Sequence, residues 1–131
     1  MLTGGCFCGR VRYEAEGAPF NQTNCHCSIC RRTTGAPFVA WFSVPRSRLR
    51  LTGEPMRFRS SGKATRSFCP ECGTQLTFEL DGPGDEIDVT TCSLDEPGRV
   101  PPVDHTRTSS RLEWVKLADG LPQFHESRQE G

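Results

Sequence analysis

Short runs in which hydrophobic and polar residues alternate are the main pattern along this chain. They occur at residues 11–15, 38–44, 56–59, 75–80 and 86–90. Side chains of a β-strand point alternately to its two faces, so each run predicts a strand with one buried face. Breaks rich in Gly and Pro separate the runs, and helix is predicted only in short pieces, at residues 28–33 and around Leu94 and Asp95. The pattern predicts a mainly β protein with short helical turns.

No break is long enough to be a linker between domains, so we expect a single domain over residues 1–131. Hydrophobic residues make up 34% of the chain and charged residues 24%, which is typical of a folded globular protein. No apolar run approaches the length of a membrane span, and no secretory signal is apparent at the start of the sequence. We therefore expect a cytoplasmic protein with reduced thiols.

Seven of the eight cysteines fall into three short motifs. These are Cys6-x-Cys8, Cys25-His26-Cys27-x-x-Cys30 and Cys69-x-x-Cys72. Ligands separated by one or two residues converge on one ion around a tight turn, and a thiolate cluster selects zinc or iron–sulfur over hard cations. The motifs therefore indicate metal binding more strongly than disulfide bonds.

The seven clustered thiols divide into four and three. Four protein ligands make a closed, structural zinc site, whereas three leave one position open for chemistry, so one site of each kind is the natural interpretation. Spacing alone does not decide which motifs combine, because the first can pair with two thiols of the second or with the third. The triplet Cys25, Cys27 and Cys30 is the better candidate for a self-contained site. The remaining four thiols would then tie the first strand to the middle of the chain.

Longer stretches around the cysteines resemble a known family. They are GCFCGRVRY (residues 5–13), CHCSICRRTTGAPF (25–38) and FCPECGT (68–74), followed by SLDEP (93–97), His105, Trp114 and DGLPQF (119–124). Together they resemble the glutathione-dependent formaldehyde-activating family, which also includes the centromere-protein-V type domains, over nearly the whole chain. The resemblance implies an Mss4-like (β-tent) fold, in which twisted β-sheets surround zinc.

The resemblance also implies how the thiols are used. It implies two zinc ions per chain, a structural one on Cys6, Cys8, Cys69 and Cys72 and a second, catalytic-type one on Cys25, Cys27 and Cys30. It further implies a carbon–sulfur lyase-type reaction, in which a thiol such as glutathione adds to formaldehyde or a related small aldehyde, or the adduct is cleaved. A zinc ion with an open position can take the substrate sulfur as a ligand and favours its thiolate form.

Four residues near the triplet are candidates for substrate contacts. Arg31 and Arg32 follow it and can bind the carboxylates of a tripeptide, although a solvated helix face is the simpler interpretation. His26 lies between two ligands, so its side chain is expected to point away from that ion. His105 is either a general base near the site or a structural histidine. Cys92 lies outside the motifs and is expected to be a buried strand thiol, the alternative being a ligand or redox partner of the open zinc.

A non-catalytic zinc domain that binds protein or nucleic acid is the alternative function. Six arginines between residues 46 and 66 form a basic stretch, in which Arg46, Arg48 and Arg50 have the spacing of one strand face. The 16 basic and 16 acidic residues of the chain cancel. The stretch shows no aromatic interleaving like that of a platform for single-stranded nucleic acid, and both facts argue against nucleic acid. We expect a small thiol, and neither nucleic acid nor a membrane, as the partner.

Overall fold

The computed structural model describes residues 1–128. Within them the strands are β1 (Leu2–Gly5), β2 (Arg12–Ala15), β3 (Phe20–Cys25), β4 (Val39–Pro45), β5 (Leu49–Thr52), β6 (Met56–Ser61), β7 (Ala64–Phe68), β8 (Gln75–Leu80), β9 (Glu86–Thr90) and β10 (His105–Thr106). The α-helix is α1 (Ser28–Thr34), and short 3₁₀ helices occur at Arg46–Arg48, Thr91–Ser93, Pro97–Arg99 and Thr108–Ser110. No helix in this part of the chain is both long and apolar enough to cross a membrane.

The strands form two sheets, which confirms the prediction of a mainly β fold. Seven strands make a large sheet in the order β10-β3-β4-β9-β8-β7-β6, and three make a small sheet in the order β1-β2-β5. Neighbouring strands are antiparallel except β10, which pairs in parallel with β3. In that pairing Thr106 lies opposite Cys25. A segment about 80 residues away in sequence is thus brought beside the second cysteine motif.

Strand β4 lies between two apolar regions, because successive side chains of a strand face opposite sides of the sheet. Phe42 and Val44 belong to the main core, which also contains Tyr13 of the small sheet and buried thiols of the first and third motifs. Val39 and Trp41 belong to a smaller cluster with the thiols of the second motif. The two groups of cysteines therefore pack on opposite sides of β4.

Alternation predicted β2, β4, β6, β8 and β9 close to their observed bounds, and the helix predicted at residues 28–33 is α1. The other predicted helical piece lies slightly earlier, in the 3₁₀ helix Thr91–Ser93. Strands β1, β3, β5, β7 and β10 were not predicted. In β3 most residues are polar and only half buried, so no alternation is visible. In β7 the middle position holds the buried Arg66 instead of an apolar residue.

The expectation that three arginines share one strand face is wrong. Arg46 and Arg48 lie in a 3₁₀ helix, and only Arg50 lies in a strand. Pro45 is the last residue of β4. Since proline has no backbone N–H to donate, the chain leaves the sheet at this point and turns before β5 begins.

Acidic side chains neutralise most of the basic stretch. The ion pairs are Arg46–Glu79, Arg48–Glu16, Arg50–Glu14, Arg50–Glu16 and Arg59–Asp81. Arg66 is absent from this surface, because only 3% of its area is exposed. Most of the positive charge of the stretch is thus compensated, while the exposed Arg57 has no such ion pair within residues 1–128.

Candidate metal centres

Four thiols from two distant parts of the chain meet where the small sheet joins the large one. Cys6 and Cys8 follow β1, and Cys69 and Cys72 follow β7. Their sulfur atoms all lie within 4.8 Å of one another. Cys8 Sγ is 3.6 Å from Cys6 Sγ and 3.7 Å from Cys69 Sγ. Zinc–sulfur bonds of about 2.3 Å in a tetrahedron place the sulfurs about 3.8 Å apart, so this spacing fits one zinc ion.

The backbone at each pair of thiols turns tightly. The N–H of Gly9 donates to the carbonyl of Cys6 at 3.1 Å, and the N–H of Gly73 donates to the carbonyl of Cys69 at 2.8 Å. Both glycines have positive φ angles, 84° and 81°, which residues with a Cβ rarely adopt. The glycine that follows each motif is therefore what allows the two thiols of that motif to face the same point.

Thr74 links the two turns and was not identified from the sequence. Its hydroxyl oxygen lies 3.2 Å from Cys72 Sγ and accepts a hydrogen bond from the N–H of Phe7 at 3.1 Å. The hydrogen bond from Thr74 is the largest cause that lowers the pKa of Cys72 to about 5. The thiolate is the form that binds metals, so Thr74 prepares this site for an ion. We use the name four-sulfur group for Cys6, Cys8, Cys69 and Cys72.

The triplet, Cys25, Cys27 and Cys30, is built at the junction of β3 and α1. Cys25 ends β3, Cys27 is the residue before α1, and Cys30 lies in the first turn of the helix. The three sulfurs lie within 4.8 Å of one another, with Cys25 Sγ 3.6 Å from Cys30 Sγ. The N–H of Cys30 donates to Cys27 Sγ at 3.3 Å, so this sulfur caps the helix as a Ser or Asp side chain commonly does.

The donor set of the triplet fits a soft divalent cation. Hydrogen bonds from Cys25 and Cys30 lower the pKa of Cys27, which favours a thiolate at that residue, whereas the hydrogen bond with Cys27 is the largest cause that raises the pKa of Cys25. Thiolate ligands select zinc over magnesium or calcium. No fourth His, Cys, Asp or Glu joins the triplet within residues 1–128. Three protein ligands would leave one position for a ligand from outside.

Arg66 of β7 contacts the triplet, and sequence reasoning placed it wrongly in the exposed basic stretch. Its Nη1 and Nη2 lie 3.7 Å and 3.6 Å from Cys30 Sγ. The only signal in the sequence is that Ala64 and Phe68, two residues to either side, are apolar. Those positions suggest a strand face that runs through Arg66.

His26 and His105 form a buried hydrogen-bonded chain behind the triplet. His26 Nε2 lies 3.0 Å from His105 Nδ1, and His105 Nε2 lies 2.8 Å from Asp119 Oδ2. Both histidines are fully buried, and Phe38 packs against their rings. Burial is the largest cause that lowers the pKa of His26 to about 4, so His26 is neutral at pH 7. Neither histidine belongs to a group of sulfur ligands, and the role of Asp119 was not identified from the sequence.

The two arginines after the triplet differ in their surroundings. Arg31 Nη1 donates to the carbonyl of Ser110 and, at 3.5 Å, to the carbonyl of His26. It therefore fastens the cysteine loop to the segment that follows β10. Arg32 is exposed on the surface of α1. Of the two, Arg32 is the one available to an anionic ligand.

Cys92 is exposed, so the expectation of a buried strand thiol is wrong. The chain leaves β9 and enters the 3₁₀ helix Thr91–Ser93, which carries this side chain out of the sheet. Cys92 lines a cavity of about 420 Å³ together with Cys72, Thr33 and Thr34. None of the three triplet thiols lines this cavity, so the cavity alone does not define a substrate site.

The sequence profile of the family described as "Glutathione-dependent formaldehyde-activating enzyme" matches residues 1–110. This chain belongs to that family. The family fold is Mss4-like, and the twisted sheets described above agree with it. The family membership expected from the cysteine motifs and their flanking residues is thereby confirmed.

Individual relatives match over shorter stretches. An uncharacterized lyase of Schizosaccharomyces pombe is 31% identical over 75 residues, which are 57% of this chain and 55% of that protein. A Halomonas elongata protein, provisionally named a glutathione-dependent formaldehyde-activating enzyme, is 47% identical over 38 residues, 27% of this chain and 23% of that protein. The matched part thus spans about half the length of the yeast relative and about a quarter of the bacterial one.

A solved structure supports the fold over almost the whole chain. The crystal structure of a Rhodobacter sphaeroides protein has a TM-score of 0.60 and 22% identity, and the match covers 93% of this chain and 98% of that one. At this level of identity the likeness concerns the fold alone.

Proposed function

We propose that this chain is a carbon–sulfur lyase of the glutathione-dependent formaldehyde-activating type. Its substrate would be the adduct of a small thiol with formaldehyde or a related small aldehyde, and glutathione is the first candidate for the thiol. The observation that carries the proposal is the triplet, in which three sulfurs converge without a fourth protein ligand in residues 1–128. Membership of the family supports it.

We further propose two zinc ions per chain, one on the four-sulfur group and one on the triplet. The first site has a full set of protein ligands and serves the fold, whereas the second is incomplete. When bound at the triplet, zinc supplies a position for a substrate sulfur and favours its thiolate form. The unpaired state of all eight cysteines is consistent with a reducing compartment, and we propose the cytoplasm.

The reaction forms one carbon–sulfur bond and one oxygen–hydrogen bond. The thiol sulfur bonds to the aldehyde carbon, the carbon–oxygen double bond becomes single, and the thiol proton passes to the oxygen to give the S-hydroxymethyl adduct. The reverse step breaks the carbon–sulfur bond and returns the proton to sulfur. No oxidant or reductant is required in either direction.

Residues around the triplet position its loop and are suited to bind the rest of the substrate. Arg32 is exposed beside the loop and can bind a carboxylate of a tripeptide through two parallel hydrogen bonds. Arg31 is held by two backbone carbonyls, so we assign it to positioning of the loop. His26 and His105 are fully buried, and we assign them to support of the loop from behind.

Titration with glutathione tests the proposal. Binding should shift the NMR signals of the loop at residues 25–32, and should be lost in Cys27→Ser. S-methyl glutathione is the matched control ligand, because it has the same carboxylates but cannot form a thiolate, and it should bind more weakly. Equal binding of both ligands, or shifts confined to remote residues, would contradict the thiol-ligand mechanism.

A rate measurement completes the test. The exchange between free formaldehyde and S-hydroxymethylglutathione, followed by NMR, should be faster with the protein than without it. Cys27→Ser should return the exchange to the uncatalysed rate. A protein that binds metal but accelerates nothing would be a non-catalytic zinc domain instead.

A further inference from the structure

Arg66 is a charged side chain at a position where a central strand normally carries an apolar one. It lies in the middle of β7, and 3% of its surface is exposed. Phe58 and Phe78 lie opposite it on the two neighbouring strands. Its guanidinium carbon is 4.8 Å from the ring centre of Phe78 and 5.8 Å from that of Trp41. Aromatic faces attract a cation but do not cancel its charge.

The charge of Arg66 needs an anion. A guanidinium stays protonated in proteins. A buried ion without a partner is strongly destabilising. Within residues 1–128 no salt bridge joins Arg66 to a carboxylate, and its buried Nε has no hydrogen-bond partner.

The sulfur of Cys30 is the group that receives both terminal nitrogens of Arg66, at 3.6 Å and 3.7 Å. Asp88 lies two strands away, on β9, with β8 between them. Its carboxylate accepts a hydrogen bond from the hydroxyl of Ser43 at 2.6 Å. The position of the guanidinium therefore singles out Cys30 as its partner.

We propose that Arg66 is the counter-ion of the metal site on the triplet and the positioning residue of the Cys30 thiolate. Three thiolates around a divalent ion carry one net negative charge (2 − 3 = −1), and the guanidinium brings the total to zero. The two N–H groups form a rigid fork that fixes where the sulfur lies. A substrate thiolate then approaches a neutral site instead of a negative one. The inference rests on the second metal site of the proposed function but not on its reaction.

Metal affinity tests this role directly. The metal-loaded protein is titrated with a chromophoric chelator, and cobalt(II) replaces zinc in a parallel sample so that sulfur-to-metal absorption reports the thiolate ligands. Arg66→Met should lower the affinity of the weaker site about 10- to 100-fold, the range seen when a partner of a metal ligand is removed. Arg66→Lys, which keeps the charge, should lower it less. Arg57→Met removes an exposed arginine of β6 and should change nothing; unchanged affinity in Arg66→Met overturns the proposal.

A double-mutant cycle with Cys30→Ser keeps the test decisive if Arg66→Met folds poorly. Removal of Cys30 leaves the Arg66 charge uncompensated, so Arg66→Met should lower the unfolding midpoint of the wild-type chain but leave unchanged or raise that of Cys30→Ser. If the double variant folds while the Arg66→Met single variant does not, that result would support the coupling as well. Equal losses in both backgrounds, or failure of both Arg66→Met chains to fold, would mean that Arg66 acts independently of Cys30 and would overturn the proposal.

The outcomes separate this inference from the proposed function. A wild-type chain that binds one metal ion overturns both. Two bound ions with normal affinity in Arg66→Met overturn only the role of Arg66. A third outcome is that the chain binds two ions and Arg66→Met loses metal affinity as expected, but glutathione causes no response. The role of Arg66 would then stand, and the proposed substrate would be removed.

Discussion

The four-sulfur group and the triplet present the same ligand atoms but close very different lengths of chain. Cys8 and Cys69 are 61 residues apart, whereas Cys25 and Cys30 are 5 apart. An ion that joins distant segments removes many conformations from the unfolded chain, and an ion held within one turn removes few. We infer that sequence separation, and not ligand chemistry, assigns one group to stability and leaves the other for a ligand from outside.

The surroundings of the two groups also differ, and this difference supports the same assignment of one group to stability and the other to an outside ligand. The four-sulfur group receives hydrogen bonds from neutral donors, the N–H of Val11 at 3.2 Å and the hydroxyl of Thr74. Two of its members, Cys6 and Cys69, also belong to the main core, and Cys72 packs against that core. The triplet belongs to a smaller cluster and faces the charged Arg66. Under the proposed function, charge placed at the triplet would bear on what binds there, whereas neutral donors at the four-sulfur group would secure a permanent ion.

The largest effect is expected from Cys69→Ser. Cys69 is fully buried in the main core and holds β7 to the turn after β1. Structural zinc contributes about 10 to 16 kcal/mol in small zinc domains, which is as much as the whole stability of a typical domain. The variant should show no cooperative thermal transition and should aggregate on purification. A cooperative transition close to that of the wild type would assign the four-sulfur group a minor role in folding.

A smaller loss of stability, with a clear loss of metal, is expected from Cys25→Ser. The triplet closes only one turn, so the fold should persist and unfold cooperatively. Elemental analysis should find one zinc ion per chain fewer than in the wild type. Cys92→Ser is the matched control, because this thiol is exposed and lies outside both groups, and it should keep the full metal content. A loss of thermal stability in Cys25→Ser as large as that in Cys69→Ser would mean that the two groups have been assigned wrongly.

The smallest effect is expected from Asp88→Asn, on the triplet side of the large sheet. Burial raises the pKa of Asp88 to about 6, so the folded state disfavours the carboxylate. The cost is absent at low pH, appears as the pH rises above the unfolded value of about 4, and is complete above about pH 6. Asp88→Asn should therefore stabilise the protein by about 1 to 3 kcal/mol at pH 7.5. The gain should disappear as the pH falls to about 4 in thermal unfolding.

Asp88→Asn also sharpens the comparison between the two groups. Asparagine can still accept the hydrogen bond of Ser43, and metal content should not change. If Asp88 were the true counter-ion of Arg66, the substitution would instead destabilise the protein at neutral pH. It would then also alter metal retention at the triplet.

The cysteine motifs could be interpreted from the sequence because metal-ligand spacing is local. Each motif fixes its own turn, and Gly9 and Gly73 follow two of them directly. The contact between Phe7 and Thr74 could not be deduced in the same way, because it depends on how the two turns meet. The division into four and three was visible, whereas its supporting hydrogen bonds were not.

Long-range pairings account for the rest of what the sequence did not reveal. The contact between His26 and His105 exists because the two-residue strand β10 pairs with β3, and two residues are too few to show a pattern. Arg66 interrupts the apolar alternation of β7, so the strand and its buried charge were missed together. A single domain over residues 1–131 stays a prediction.

Stepwise removal of zinc tests the difference between the two groups most directly. A chelator is added to the purified protein while an indicator dye measures released zinc and circular dichroism measures the β-structure of the same sample. We predict that the first equivalent of zinc leaves from the triplet with the β signal unchanged, and that the second leaves together with the loss of that signal. Release of both equivalents in one step that coincides with unfolding, or unfolding with the first equivalent, would contradict the account.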